Sequence, residues 1–306
     1  MPGAMQADET RTASANAPTV LRVLLGTQLR RLRESRGITA AAAATAIHGS
    51  ESKISRIELG RNAVRGVDIA DLLDLYGITC PTEREALLVL ARQANQRGWW
   101  HHYQDLLPTW FQPYLGLEES AELIRSYDTQ FVPGLLQTDE YSQAVHELGA
   151  YPHEETVRRV GLRKERQQRF GSGALQLWAL IDEIALRRPV GTTDIMRRQL
   201  EYLLAAADQP RVTIQITPFD TGASHAALGS FSILSFAAAD LRDVVYVEQL
   251  TSALYLDKPS DVDRYVQAMD LIATTSLPPC QTKEFLRAAV AELRGRQSAA
   301  SAADAR

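Results

Sequence analysis

Ser50, Glu51, Ser52, Lys53, Ser55 and Arg56 gather hydroxyls, a carboxylate and two cations into one short run, broken by Ile54 and followed by Ile57 at i, i+3 spacing. Wound as a helix, this run buries its isoleucines on one side and turns its polar side chains outward. Small hydroxyls reach phosphate or base edges without bulk, and an arginine can pair guanine through two hydrogen bonds. The amides of a helix N-terminus can add a phosphate contact. The chemistry offered is recognition of a nucleic acid rather than bond making. Thr39, Arg30 and Arg61 flank the run and are candidates for contacts to the same double-stranded DNA. For Arg30, Arg33 and Arg61 an ordinary solvated charge is the equal alternative, since a phosphate contact needs only proximity. Glu58 reads as structural, a partner for an arginine of the first helix.

Motifs that organise a reaction are missing. Ser50 and Lys53 match S-x-x-K, but without S-D-N or K-T-G companions. There is no G-x-S-x-G, G-x-x-x-x-G-K-[ST], H-E-x-x-H or G-x-G-x-x-G. The histidines lack metal-ligand spacing, and Cys80 and Cys280 form no C-x-x-C. The expectation is therefore no enzyme, no catalytic residue, no metal and no cofactor.

The elements that must hold residues 50–56 outward are short helices. Leu25, Leu29 and Leu32 set a first helix that stops at Gly37, and Thr39 caps a second through His48. Gly49 and Ser50 turn the chain into a third over 51–59, closed by Gly60. A fourth is predicted from Val67 to Tyr76, and a fifth from Pro81 to about Arg97, opened by the capping box of Thr82 and Glu85. Ala44 falls where the second and third helices approach most closely, and Ile47, Ile54 and Ile57 are predicted to pack that crossing. Two helices joined by so short a turn match the geometry in which one rests across the DNA backbone and the next enters the major groove.

Beyond about Arg125 the period changes. Val212 to Thr217 alternates apolar and polar, and Leu175–Ile181, Phe231–Phe236, Val244–Glu248 and Leu254–Leu256 read as further strands. Helical stretches are predicted at 138–148, 153–170, 192–207 and 260–294. The fold expected is α+β: an all-α five-helix bundle followed by a larger mixed domain with a mainly antiparallel sheet. The boundaries read as a disordered tail at 1–19, a DNA-binding domain at 20–98, a regulatory, partner-binding α+β domain at 99–295 and a disordered tail at 296–306.

Composition agrees with an ordinary globular chain: 306 residues, 45% hydrophobic and 23% charged. No apolar run approaches the length of a membrane span, and no secretory signal opens the chain, so a cytoplasmic protein without a membrane partner is expected. The net charge is −4, yet residues 21–65 alone carry +6, leaving −10 for the remainder. A basic module joined to an acidic body implies that the first touches an anionic polymer and the second does something else.

These residues carry a resemblance. Leu25, Gly26, Leu29, Arg30, Leu32 and Arg33, then Gly37, Ile38 and Thr39, then Ser52 to Glu58 with Gly60 and Arg61, resemble the Cro and lambda-repressor-like (xenobiotic-response-element type) helix-turn-helix domains. Further on, Gly98-Trp99-Trp100-His101, Val132-Pro133-Gly134-Leu135-Leu136-Gln137-Thr138, Asp182-Glu183 with Leu186-Arg187-Arg188-Pro189-Val190-Gly191, Val212 to Phe219 and Val245-Tyr246-Val247-Glu248 are similar to the C-terminal domain of a large family of actinobacterial regulators. The resemblance implies a transcriptional regulator, repressor-like and antitoxin-like, paired with a small companion protein. Two departures stand out. Ala40, Ala41 and Ala42 follow Thr39 where relatives have Gln-x-Glu, and His48 stands where the turn usually has Gly, with Gly49 one position later.

One DNA-reading helix covers too few base pairs for useful specificity, so a homodimer is expected. Trp99, Trp100, His101 and Tyr103, with Gln137, Asp182, Arg187 and Glu248, are candidates for a ligand or partner site. For the aromatic run core packing competes, and for the charged residues structural ion pairs do. The arginine-rich stretch from Glu154 to Phe170 reads as an exposed face with i, i+4 partners. The alternatives in function are a metabolite-sensing one-component regulator and an enzyme with a helical docking module.

Overall fold

The computed structural model describes residues 18–60, 62–221, 228–237 and 241–304. The tail expected at 1–19 lies outside these except for Pro18 and Thr19, which already belong to a helix. The chain forms two compact units, one running to Ala121 with 236–242, the other comprising Glu122–Ser235 and the chain from Asp243 onward.

The first unit opens with α1 (Pro18–Ser35), α2 (Ala40–Ala46), α3 (Glu51–Glu58), α4 (Gly66–Leu75) and α5 (Pro81–Ala94). Leu25, Leu29, Ala44, Ile47, Ile54 and Ile57 meet in one buried core, as their spacing predicts. Gly26 lets α1 lie directly on α3: a Cβ there would sit 2.4 Å from the Ile57 carbonyl oxygen. The fifth helix ends at Ala94 rather than Arg97, because Asn95 caps it and turns its side chain to the backbone of Val64, accepting from Val64 N at 3.2 Å and donating to its carbonyl at 2.6 Å. A short 3-10 turn (Trp99–Tyr103) and α6 (Phe111–Ser120) complete this unit.

The second unit is built on a six-stranded sheet in the order β3-β2-β1-β4-β5-β6. Its strands are β1 (Leu123–Asp128), β2 (Gln176–Asp182), β3 (Val212–Thr217), β4 (Phe231–Ser235), β5 (Val244–Glu248) and β6 (Ala253–Leu256). The α+β architecture is as expected. The pairings of β1 with β4, β4 with β5 and β5 with β6 are antiparallel, while β1–β2 and β2–β3 are parallel. The parallel pairs are those whose connections hold helices: α7 (Asp139–Glu147) and α8 (His153–Ser172) precede β2, and α9 (Glu183–Arg187) and α10 (Thr193–Ala206) precede β3. Tyr127, Phe231 and Val245 on one face of the sheet pack with Met269 and Ile272 of α11 (Pro259–Thr275).

The single helical stretch predicted over 260–294 is two helices. Ser276, Leu277 and Pro278 separate α11 from α12 (Pro279–Asp304), where the Leu277 amide donates to the Ile216 carbonyl of β3 at 2.8 Å. Helix α12 continues to Asp304 through the segment read as a disordered tail, whose alanines are strong helix formers.

Candidate nucleic-acid interface

Both helices of the motif are capped by hydroxyls. Thr39 Oγ1 accepts from the Ala42 amide at 3.2 Å, and Ser50 Oγ accepts from the Lys53 amide at the same distance. Each cap satisfies one orphan amide of its helix. The departure at His48 has a conformational consequence. His48 itself takes the left-handed conformation, φ 49°, that glycine would adopt without strain. Gly49 serves a different need: a Cβ on it would lie 2.9 Å from Lys53 Cδ, so its bareness gives the lysine stem a path across the turn.

Helix α3 divides as its spacing predicts. Ile54, Ile57 and Glu58 are buried, while Glu51, Ser52, Ser55 and Arg56 are exposed. Among the described residues, the side chains of Ser52, Ser55 and Arg56 make no hydrogen bond or ion pair within the chain, so their donors face solvent. Thr39 and Ser50 are exposed beside them, and Arg30 is exposed on α1, held by Glu34 at 2.8 Å. Arg61 lies outside the described residues.

Two ion-pair groups fix this face from behind. Glu58, expected to pair with an arginine of the first helix, receives Arg33 through two hydrogen bonds, Nε at 2.5 Å and Nη2 at 2.9 Å. Arg33 Nη1 also donates to the Ile38 carbonyl at 2.9 Å, so the guanidinium ties α1, the turn before α2 and α3 together. Its bond to Glu58 raises the Arg33 pKa. Sequence reasoning missed the second group. Asp68 of α4, only 3% exposed at its side chain, accepts Lys53 Nζ at 2.9 Å and Arg65 Nη2 at 2.7 Å. The hydrogen bond from Arg65 and then that from Lys53 lower the Asp68 pKa. Fifteen positions separate Lys53 from Asp68, and neither charge pattern nor helical period links them.

Of the residues proposed for a ligand or partner site, the aromatic run lies in the first unit and Gln137, Asp182, Arg187 and Glu248 in the second. Trp100 is buried in the first unit, with Trp99 set edge-on at 5.8 Å. Gly98 and Gly116 leave the space its ring fills. Trp100 is thus packed into the core, while His101 and Tyr103 are half-buried on the same turn. Gln137 is buried and committed to its own unit: it donates to the Val132 carbonyl at 2.7 Å and accepts from Arg163. Asp182 caps α9 through the Ile184 amide at 3.0 Å and accepts the Tyr127 hydroxyl at 3.1 Å. Arg187 is held by Glu183 at 2.7 Å and Glu292 at 3.2 Å. Glu248 is exposed at the end of β5, three strand spacings from Asp182 across the sheet, roughly 14 Å.

The arginines of α8 only partly form the solvated face expected. Arg159 and Arg169 have i, i+4 partners in Glu155 and Glu165, but Arg163 turns inward to Gln137 and Arg166 is buried. Among the described residues no group of three His, Cys, Asp or Glu could hold a metal ion. Among them, too, no helix is long and apolar enough to cross a membrane.

Comparison with known proteins agrees with the geometry of the first unit. Residues 24–87 match a helix-turn-helix domain, which points to a DNA-binding regulator rather than an enzyme. No curated protein and no solved structure matches the chain. Residues 111–288, more than half of the sequence, match the family described as Domain of unknown function (DUF5753), and the chain belongs to that family.

Proposed function

We propose that this protein is a cytoplasmic, sequence-specific transcriptional regulator that binds double-stranded DNA as a homodimer and whose C-terminal domain senses a small companion protein. The observation that carries the DNA reading is the outward face of α3, where Ser52, Ser55 and Arg56 present donors that no group of the described chain engages. In this reading α2 rests across the backbone and α3 enters the major groove. Arg56 pairs a guanine, and Ser52 and Ser55 reach base edges or phosphate. Glu51 accepts from a cytosine amino group, while Thr39, Ser50, Arg30 and Arg61 border the phosphates. Residues 20–98 form the reading head and 99–295 the sensing part.

The companion-protein reading is supported by the resemblance to antitoxin-like actinobacterial regulators. A partner can change DNA affinity only by binding two states of the dimer unequally. A second reading, a metabolite sensor, is favoured by a cleft of about 140 Å³ in the second unit, lined by Leu186, Met196, Leu200 and Phe285 with Arg187 at its rim. Tagged-protein pulldown and a thermal-shift screen of metabolites separate the two.

The test of the main reading is to sequence DNA fragments recovered with the purified protein. A palindrome is expected, its half-site spacing giving the separation of the reading heads. Arg56→Ala should then weaken binding to that site by about 1–3 kcal/mol in a gel shift. Random recovered sequences, or an unchanged affinity of the variant, would count against the assignment.

A further inference from the structure

Lys53 sits on the helix proposed to enter the groove, yet its charge is already spoken for. Its stem crosses bare Gly49, and its ammonium reaches Asp68 at 2.9 Å. The same carboxylate takes Arg65, which stands at the N-cap of α4 and is 75% exposed at its side chain. Two cations beside the groove helix thus share one anion that solvent barely reaches. A cation engaged by a buried carboxylate cannot also reach a phosphate without breaking that pair, so it adds no phosphate contact and releases no counterion when DNA arrives. We propose that Asp68 is a specificity-determining residue of the DNA-binding unit, which withholds Lys53 from the phosphates and so lowers sequence-independent affinity while leaving base reading to Arg56 and the serines.

This inference rests on the DNA-binding reading and adds a prediction which that reading does not make. With Lys53 as a phosphate contact, removing its ammonium would reduce the salt slope of binding. With Lys53 withheld by Asp68, removing the carboxylate should steepen it. The clamp also gives the glycine at position 49 its role, since a side chain there would deflect the lysine from Asp68.

The experiment measures binding of the full chain to a random-sequence 20-base-pair duplex across a salt series for the wild type, Asp68→Asn and Lys53→Met. Asp68→Asn should bind several-fold more tightly, with the slope of log K against log salt steeper by about 0.9, the increment of one added phosphate contact. Lys53→Met should leave the slope where the wild type has it. A Lys53→Met slope shallower by one contact, or an Asp68→Asn slope equal to the wild type in a folded variant, overturns the proposal. If Asp68→Asn does not fold, the Lys53→Met slope decides alone. A wild type that retards no duplex at any salt fails the DNA-binding reading itself, and is told apart from the other outcomes by that.

Discussion

At the scale of single residues, burial decides which charges are structural. Glu58 was legible in the sequence because it lies on the apolar side of a short helix, where a lone carboxylate needs a partner. The Lys53–Asp68 pair was not, because the contact is made by the fold and not by any period. Removing one member of the buried Arg33–Glu58 pair should be costly: Glu58→Gln is expected to lower stability by about 2–3 kcal/mol in urea unfolding. A change below about 0.5 kcal/mol, the scale of an ordinary surface substitution, would mean that the pair is not needed to hold α1 to α3. His48 offers the opposite sign. Its left-handed backbone costs an L-residue about 1 kcal/mol, so His48→Gly should stabilise by about 0.5 kcal/mol once the added freedom of the unfolded chain is counted. Asp128, at the end of β1, has one carboxylate oxygen sealed from solvent without a hydrogen-bond partner among the described residues. Burial pushes its pKa up to about 7, the Ser126 hydroxyl opposing only in part. The folded state therefore holds this proton between about pH 4 and 7 while the unfolded chain gives it up, and stability falls as pH rises through that window. Asp128→Asn should raise the melting temperature at pH 8 and leave it unchanged near pH 4; equal shifts at both would remove the titration from the explanation.

At the scale of elements, the helices of the first unit were readable and the centre of the sheet was not. Leu25, Leu29, Ile54 and Ile57 repeat at helical spacing because each helix has one wet face, which is what periodicity detects. Strand β1 lies between β2 and β4, and its sequence Leu-Ile-Arg-Ser-Tyr-Asp alternates no wet and dry side. Ile124 and Tyr127 are both fully buried although they point to opposite faces, and Arg125 is drawn in toward Asp243 at 3.5 Å. With both faces covered, the period of two carries no contrast in hydrophobicity. The break between α11 and α12 was hidden for a related reason, since Pro278 and Pro279 mark a turn only once Leu277 is seen joined to β3. An element-scale prediction follows from the approach of α1 to α3. Gly26→Ala places a methyl group 2.4 Å from a backbone oxygen that cannot swing aside. The helices must separate, at a cost of about 1–3 kcal/mol. Because α3 carries the proposed reading face, DNA affinity should fall together with stability, measured by gel shift and urea unfolding on the same preparation. Wild-type values in both would show that the two helices can part without consequence.

At the scale of the whole molecule, sign of charge is segregated along the chain. The segment 21–65 carries +6 within a protein of net −4, so global charge opposes the approach to DNA that the local field favours. Which prevails depends on range. Exposed charges are screened beyond about 8 Å at physiological ionic strength, so a phosphate close to α3 feels the cations beside it far more than acids beyond that range. At low salt the screening length grows to roughly 30 Å at 0.01 M, and repulsion from more distant acids reaches the same phosphate. Two opposing terms with different ranges give a curve that is not monotonic. Binding to a random duplex should strengthen slightly as salt rises from about 10 mM to about 50 mM and then fall steeply as counterion release takes over. Fluorescence anisotropy with a labelled duplex across that series reads both limbs. Arg30→Gln combined with Arg56→Gln should depress the whole curve and flatten its upper limb, because the cations nearest the polymer set that slope. A steady decline from the lowest salt would show that the chain's excess acids are too distant from the DNA, or too well neutralised by nearby arginines, for their charge to be felt there.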